Sequence, residues 1–169
     1  MFFIKKQKRL NRGNKQSCSQ GFTLVEVLIV ISITMILAAV TVPIYGNLQV
    51  SSQLSENTSL LIQNLRTAQE WSMARLGSSS HGIKLFPNSY VLYQGSSYAT
   101  RALEYDRTTI LGDTVNLGWS LLGAGQPDEI NFSKSLGVPD MTGDITITHD
   151  IGLDSKTVNV NSFGKVEEQ

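Results

Sequence analysis

The stretch SCSQGFTLVEVLIVISITMILAAVTVPIYG, residues 17–46, decides how this chain is read. Its nineteen residues 24–42 are apolar apart from Glu26, Ser32, Thr34 and Thr41. As a helix, that run rises about 28 Å, close to a bilayer hydrocarbon core of roughly 30 Å. One residue is out of place. A carboxylate such as Glu26 at that depth costs roughly 2.5–3.5 kcal/mol even on lenient insertion scales. A secretory signal would have a shorter apolar core and a small-residue cleavage site after it, and no A-x-A follows here. A lipoprotein signal would place its cysteine after the apolar run, whereas Cys18 precedes it. A plain single-pass anchor fits the hydropathy but leaves Glu26 and Gly21 without a role.

Working outward from that stretch, charge divides the chain. Lys5, Lys6, Lys8, Arg9, Arg12 and Lys15 precede it with no acid among residues 1–21. The chain of 169 residues holds 14 basic and 14 acidic residues, so the six leader cations leave 8 bases against 14 acids from Phe22 onward, a net of −6. The overall zero hides a basic leader and an acidic body. By the positive-inside rule the leader stays cytoplasmic and the C-terminal body lies on the other side. Cys18 is the only cysteine, so the body has no internal disulfide and depends on its apolar core.

Gly21-Phe22-Thr23-Leu24-Val25-Glu26, after a short basic leader and before an apolar helix, resembles the signal of type IV pilins and pseudopilins. The resemblance implies that a prepilin peptidase cuts between Gly21 and Phe22, that Phe22 is N-methylated, and that Glu26 is the family's assembly carboxylate. Pro43 falls where these proteins often carry a helix-kinking proline. There is a physical logic to each position. Glycine lies extended in a protease cleft where a Cβ would clash. Pairing a buried glutamate with a neighbour's new amino terminus recovers part of the cost of burying each charge. A helix N-terminus also favours a nearby anion. Glu26 is thus expected to register subunits rather than to catalyse.

Beyond the span the pattern turns amphipathic. Leu54, Thr58, Leu61, Leu65, Ala68 and Ser72 follow three-four spacing, flanked by Ile62, Met73 and Leu76. Pro43 should kink the helix without ending it. Gly77 should stop it. The expected organisation is a removable leader over 1–21, a long helix over 22–76 with a transmembrane segment at about 22–44, and a β-rich domain over 77–169.

After Gly77 short alternating runs replace the helical period. HGIKLF and YVLYQG around Pro87-Asn88-Ser89 predict a hairpin, and EINFS, DITITH and KTVNVN predict further strands. LLGAGQPDE reads as a loop, and SFGKV as a turn into a terminal edge strand. The fold class is α+β: a long N-terminal helix, its first half transmembrane, packed on a C-terminal antiparallel sheet body in one or two sheets. Ile130-Asn131-Phe132, Ile145-Thr146-Ile147, Val158-Asn159-Val160 and Gly164-Lys165-Val166 are similar in order to the GspH/FimT-like minor pseudopilins.

Catalytic constellations are missing. His81 and His149 are the only histidines, and no H-E-x-x-H, G-x-S-x-G, P-loop or C-x-x-C motif is present. No cofactor is expected. Asp144, Asp150 and Asp154 surround a turn and raise a hard-cation site, although aspartate and glycine are also default turn residues. The expected function is that of a minor pilin or pseudopilin, a structural subunit of a type IV pilus, a type II secretion pseudopilus or a competence pilus. Its implied partners are the prepilin peptidase, other pilin subunits, the assembly platform and ATPase, and the cytoplasmic membrane. The alternative is a DNA-binding minor pilin for natural transformation, with Lys84, Arg101, Arg107, Lys134, Lys156 and Lys165 as candidate contacts. The acidic body argues against it. A membrane-anchored enzyme is a third reading, which the missing motifs oppose.

Overall fold

The computed structural model describes residues 21–150 and 154–169, without the side chains of residues 40–45 and 47. The leader cations and Cys18 lie outside the described residues, as does the side chain of Pro43. The chain forms two compact units, Met1–Thr41 and Val42–Gln169. One helix, α1, runs Leu24–Met73.

In the first unit α1 begins with Thr23 as its cap, and every described side chain from residue 21 to 39 is exposed. The hydroxyls of Ser32 and Thr34 donate back to the carbonyls of Leu28 at 2.8 Å and Val30 at 3.0 Å. Polar groups on an apolar helix are thereby satisfied without water. Among the described residues, no helix is long and apolar enough to cross a membrane. The apolar run of residues 24–42 continues into 40–45, where side chains are not described.

In the second unit the three-four stripe is the packing face of α1. Leu54, Thr58, Leu61, Leu65, Ala68 and Ser72 are all 2% exposed or less, whereas Met73 and Leu76 are exposed. Each fully buried leucine contributes about 1.5–3 kcal/mol of transfer free energy, which outweighs weak local propensity. Thr58 avoids an unmet hydroxyl by donating to the Leu54 carbonyl at 2.7 Å. The helix ends at Met73. Arg75 and Gly77 then take left-handed conformations, with φ of 55° and 60°, and turn the chain into the first strand.

Among the described residues eight strands follow: β1 (His81–Phe86), β2 (Ser89–Gln94), β3 (Arg107–Ile110), β4 (Val115–Gly123), β5 (Glu129–Phe132), β6 (Met141–His149), β7 (Ser155–Val160) and β8 (Val166–Glu168). They form two antiparallel four-stranded sheets, ordered β3-β2-β1-β5 and β4-β6-β7-β8. The expected hairpin pairs His81 with Gln94 through Phe86 with Ser89, so the turn itself is Pro87-Asn88. Ile83, Leu92, Ile130 and Phe132 of the first sheet share one core with Ile145, Ile147, Val158 and Val160 of the second and with α1.

Two regions differ from the sequence reading. Leu121, Leu122 and Gly123, read as loop, belong to β4, which pairs from Val115↔His149 to Gly123↔Met141. The glycines there mark close approach rather than a break: a Cβ on Gly143 would sit 2.1 Å from the Ser120 carbonyl oxygen. Residues 95–106, within the less readable stretch 95–128, form a strap over the outer face of β2. Tyr98 meets Phe86 and Tyr93 edge-on at 5.9 and 5.7 Å, and the Arg101 guanidinium lies 3.6 Å from its ring centre. That cover explains why Val91 and Tyr93 are buried as well as Tyr90 and Leu92.

Candidate functional site

The signal residues lie together at the start of α1. Residues 21–23 precede the helix, and Phe22 is 80% exposed. The Glu26 N–H donates to Thr23 Oγ1 at 3.2 Å, and the Val27 N–H donates to the Thr23 carbonyl at 3.2 Å. Thr23 is therefore the N-cap and Glu26 the third helical residue, the spacing of a capping box. Sequence reasoning passed over Thr23, although the T-x-x-E pattern before an apolar run was the signal for it. The consequence for chemistry is direct. Helix geometry begins just after the Gly21–Phe22 bond, so that bond stays outside the helix and open to solvent. A Cβ on Gly21 would meet nothing within 4 Å. Glu26 is held in the first turn, near the positive end of the helix dipole. Pro43 lies in the second unit, and its side chain is outside the described residues.

The candidate DNA contacts do not form a free basic surface. Lys84 pairs with Asp128 at 2.6 Å, Arg101 with Asp106 at 2.7 Å, Lys156 with Glu168 at 2.5 Å, and Lys165 with Glu167. Arg107 lies over the Trp71 ring at 4.7 Å, and Lys134 donates to the Ser78 carbonyl at 2.6 Å. Asp144, Asp150 and Asp154 are not gathered into a ligand set either. Asn159 Nδ2 donates to Asp144 Oδ1 at 2.6 Å, and Asn116 Nδ2 to Asp150 Oδ1 at 2.8 Å. Among the described residues, no three His, Cys, Asp or Glu side chains stand close enough to hold a metal ion.

A cavity of about 520 Å³ lies between the end of α1, β2 and the start of β3, lined by Trp71, His81, Tyr93, Glu104, Asp106 and Arg107 among others. His81 is 2% exposed, meets Trp71 edge-on at 5.6 Å, and has no partner at Nδ1. Burial lowers its pKa from 6.5, and a hydrogen bond with Gln94 opposes that shift. Asp106 Oδ1 is also without a partner. His149, the other buried histidine, joins Thr114 at 3.0 Å and Gln53 at 3.3 Å and ties the helix to the second sheet.

Residues 16–42 match the family described as the prokaryotic N-terminal methylation motif. No curated protein matches the chain in sequence. Among solved structures, the chain is similar to the minor pseudopilin EpsH from the type 2 secretion system of Vibrio cholerae. That match has 13% identity and a TM-score of 0.52, over 69% of this chain and 96% of that one. At such identity the likeness concerns the fold, an N-terminal helix packed on antiparallel sheets. The chain thus joins a prokaryotic N-terminal methylation motif to a fold in which an N-terminal helix packs on antiparallel sheets.

Proposed function

We propose that the chain is a minor pilin or pseudopilin that is cut between Gly21 and Phe22 by a prepilin peptidase and N-methylated on Phe22. The apolar first half of its helix anchors it in the cytoplasmic membrane, with the leader inside and the β domain outside. The helix then carries it into a filament beside other pilin subunits, driven by the platform and ATPase of the machine. The observation that carries this reading is the methylation motif over residues 16–42, whose Gly21–Phe22 bond lies exposed just before the Thr23 cap. The family is a structural one, and the work proposed here is assembly and contact rather than catalysis.

Processing tests the proposal. Co-expression with a prepilin peptidase should remove residues 1–21 and add one methyl group to the new terminus, read by intact mass. Gly21→Ala should be cut slowly, and a bulkier residue should block cutting. A product that still begins at Met1 beside active peptidase would refute the assignment. The paired cations of the β domain weigh against the DNA-binding alternative.

A further inference from the structure

Two turns meet beside the last turn of α1. The turn after β5 carries Leu136, 74% exposed, and the turn between β7 and β8 carries Phe163, 83% exposed. Gln69 holds both, its Nε2 donating to the Gly137 carbonyl at 3.0 Å and to the Phe163 carbonyl at 3.4 Å. The turns touch each other: a Cβ on Gly164 would lie 2.8 Å from the Gly137 oxygen. Met73, itself 44% exposed, packs against Gly137.

Both turns are internally tied. Asn161 Oδ1 accepts the N–H groups of Phe163 at 3.0 Å and Lys165 at 2.9 Å. Ser133 Oγ accepts the Val138 N–H at 3.0 Å, and the Ser133 carbonyl accepts the Gly137 N–H at 2.9 Å. Two large apolar side chains are thus held into solvent by a built scaffold, and an exposed apolar patch rimmed by polar groups marks an interaction surface.

The rim is basic. Arg75 Nε donates to Ser135 Oγ at 2.6 Å, beside Leu136, and Lys134 Nζ reaches the Ser78 carbonyl at 2.6 Å. Among the described residues neither cation has a carboxylate within ion-pair distance, while Lys165 has Glu167. This rim lies on a body that is net negative. Long-range repulsion disfavours a polyanion such as DNA, whereas a short acidic segment feels mainly charges within a screening length of about 8 Å. We propose that the Leu136–Phe163 patch docks an acidic, apolar-tipped segment of another protein of the filament. This rests on the subunit reading above.

The test uses the full chain in cells that assemble the filament. A photo-cross-linking phenylalanine is placed at Leu136, at Phe163, and at the exposed control position Leu122. The two patch positions should yield an adduct with another protein, and its cross-linked peptide should carry carboxylates flanking an aliphatic or aromatic residue. The control should not yield it. Reversing the rim with Arg75→Glu and Lys134→Glu should lower adduct yield about tenfold, as rim charges of the wrong sign do. Phe163→Ser, with the cross-linker at Leu136, should do the same without touching any cation. Wild type recovered in sheared filaments with no adduct would overturn this inference alone. So would an adduct only with a second copy, DNA or lipid, or one indifferent to charge reversal. Wild type absent from filaments would overturn the subunit reading and this inference with it.

Discussion

Ser72 closes the helix onto the first strand: its Oγ accepts the His81 N–H at 2.8 Å and donates to the His81 carbonyl at 3.3 Å. Both residues are buried, Ser72 completely. One hydroxyl therefore satisfies both backbone groups of the residue that begins β1. Ser72→Ala removes the hydroxyl and leaves a buried N–H without a partner. The expected loss is about 1–3 kcal/mol. Thermal or urea unfolding of the β domain measures it, and a change within a few tenths of a kcal/mol would mean that water or a shifted strand replaces the hydroxyl.

The Ser72 position was legible in the sequence because it continues a three-four stripe, and every member of that stripe is buried. Strands were legible where apolar and polar residues alternate, as in Ile145-Thr146-Ile147 and Val158-Asn159-Val160. Their partition was not. β5 joins β1 in the first sheet, while β6, next in the chain, joins β4 and β7 in the second. That choice is made by contacts distant in sequence, which local period does not encode. The glycines of β4 and β6 misled for a related reason, since close strand approach and turns draw on the same residue. At the signal, the methylation motif over residues 16–42 was readable because it is local, and the roles of Gly21, Phe22 and Glu26 within it belong to the proposal. The Leu136–Phe163 patch was not, because its two turns are distant in sequence and meet only in the fold, beside Gln69.

His81 gives the β domain a pH dependence of definite sign. Burial holds its folded pKa below 6.5. As pH falls through about 6.5, the unfolded chain takes up a proton that the folded chain does not yet bind, so unfolding is favoured. The contribution to stability is full above pH 6.5 and is lost from there down to the folded pKa. Asp140, whose pKa burial raises from 3.8, acts with the opposite sign at lower pH. Urea midpoints taken from about pH 7.5 to 5.5 should fall in wild type and fall less in His81→Gln. Parallel curves for the two proteins would remove His81 as the cause.

Glu26 sits in the first turn of α1, where Thr23 already caps the helix. On the proposed reading the apolar run drives insertion, and the carboxylate adds only a cost to it. Glu26→Ala should therefore remain in the membrane fraction with a folded β domain, yet be depleted from sheared filaments. Immunoblots of the two fractions decide this. Incorporation equal to wild type would show that pairing between the carboxylate and a neighbour's amino terminus does not guide entry.

The last prediction separates filament subunit from DNA receptor. A fragment beginning at Gln49 keeps the buried stripe of α1 and both sheets, so it should fold without the apolar segment. It carries 8 bases and 13 acids, a net of −5. Four of the six candidate DNA contacts are already ion-paired: Lys84 with Asp128, Arg101 with Asp106, Lys156 with Glu168, and Lys165 with Glu167. Phosphate would have to displace those carboxylates as well as overcome the net charge. Binding by counterion release also weakens steeply with salt, with a log–log slope of roughly −0.9 per neutralised phosphate. No retardation of duplex DNA is expected at physiological salt. At low salt, any shift should vanish as salt is raised and should not depend on a single surface patch. A reproducible shift at physiological salt, abolished by Arg75→Glu and Lys134→Glu, would instead assign the basic rim around Leu136 and Phe163 to nucleic acid and promote the transformation reading over the scaffold one.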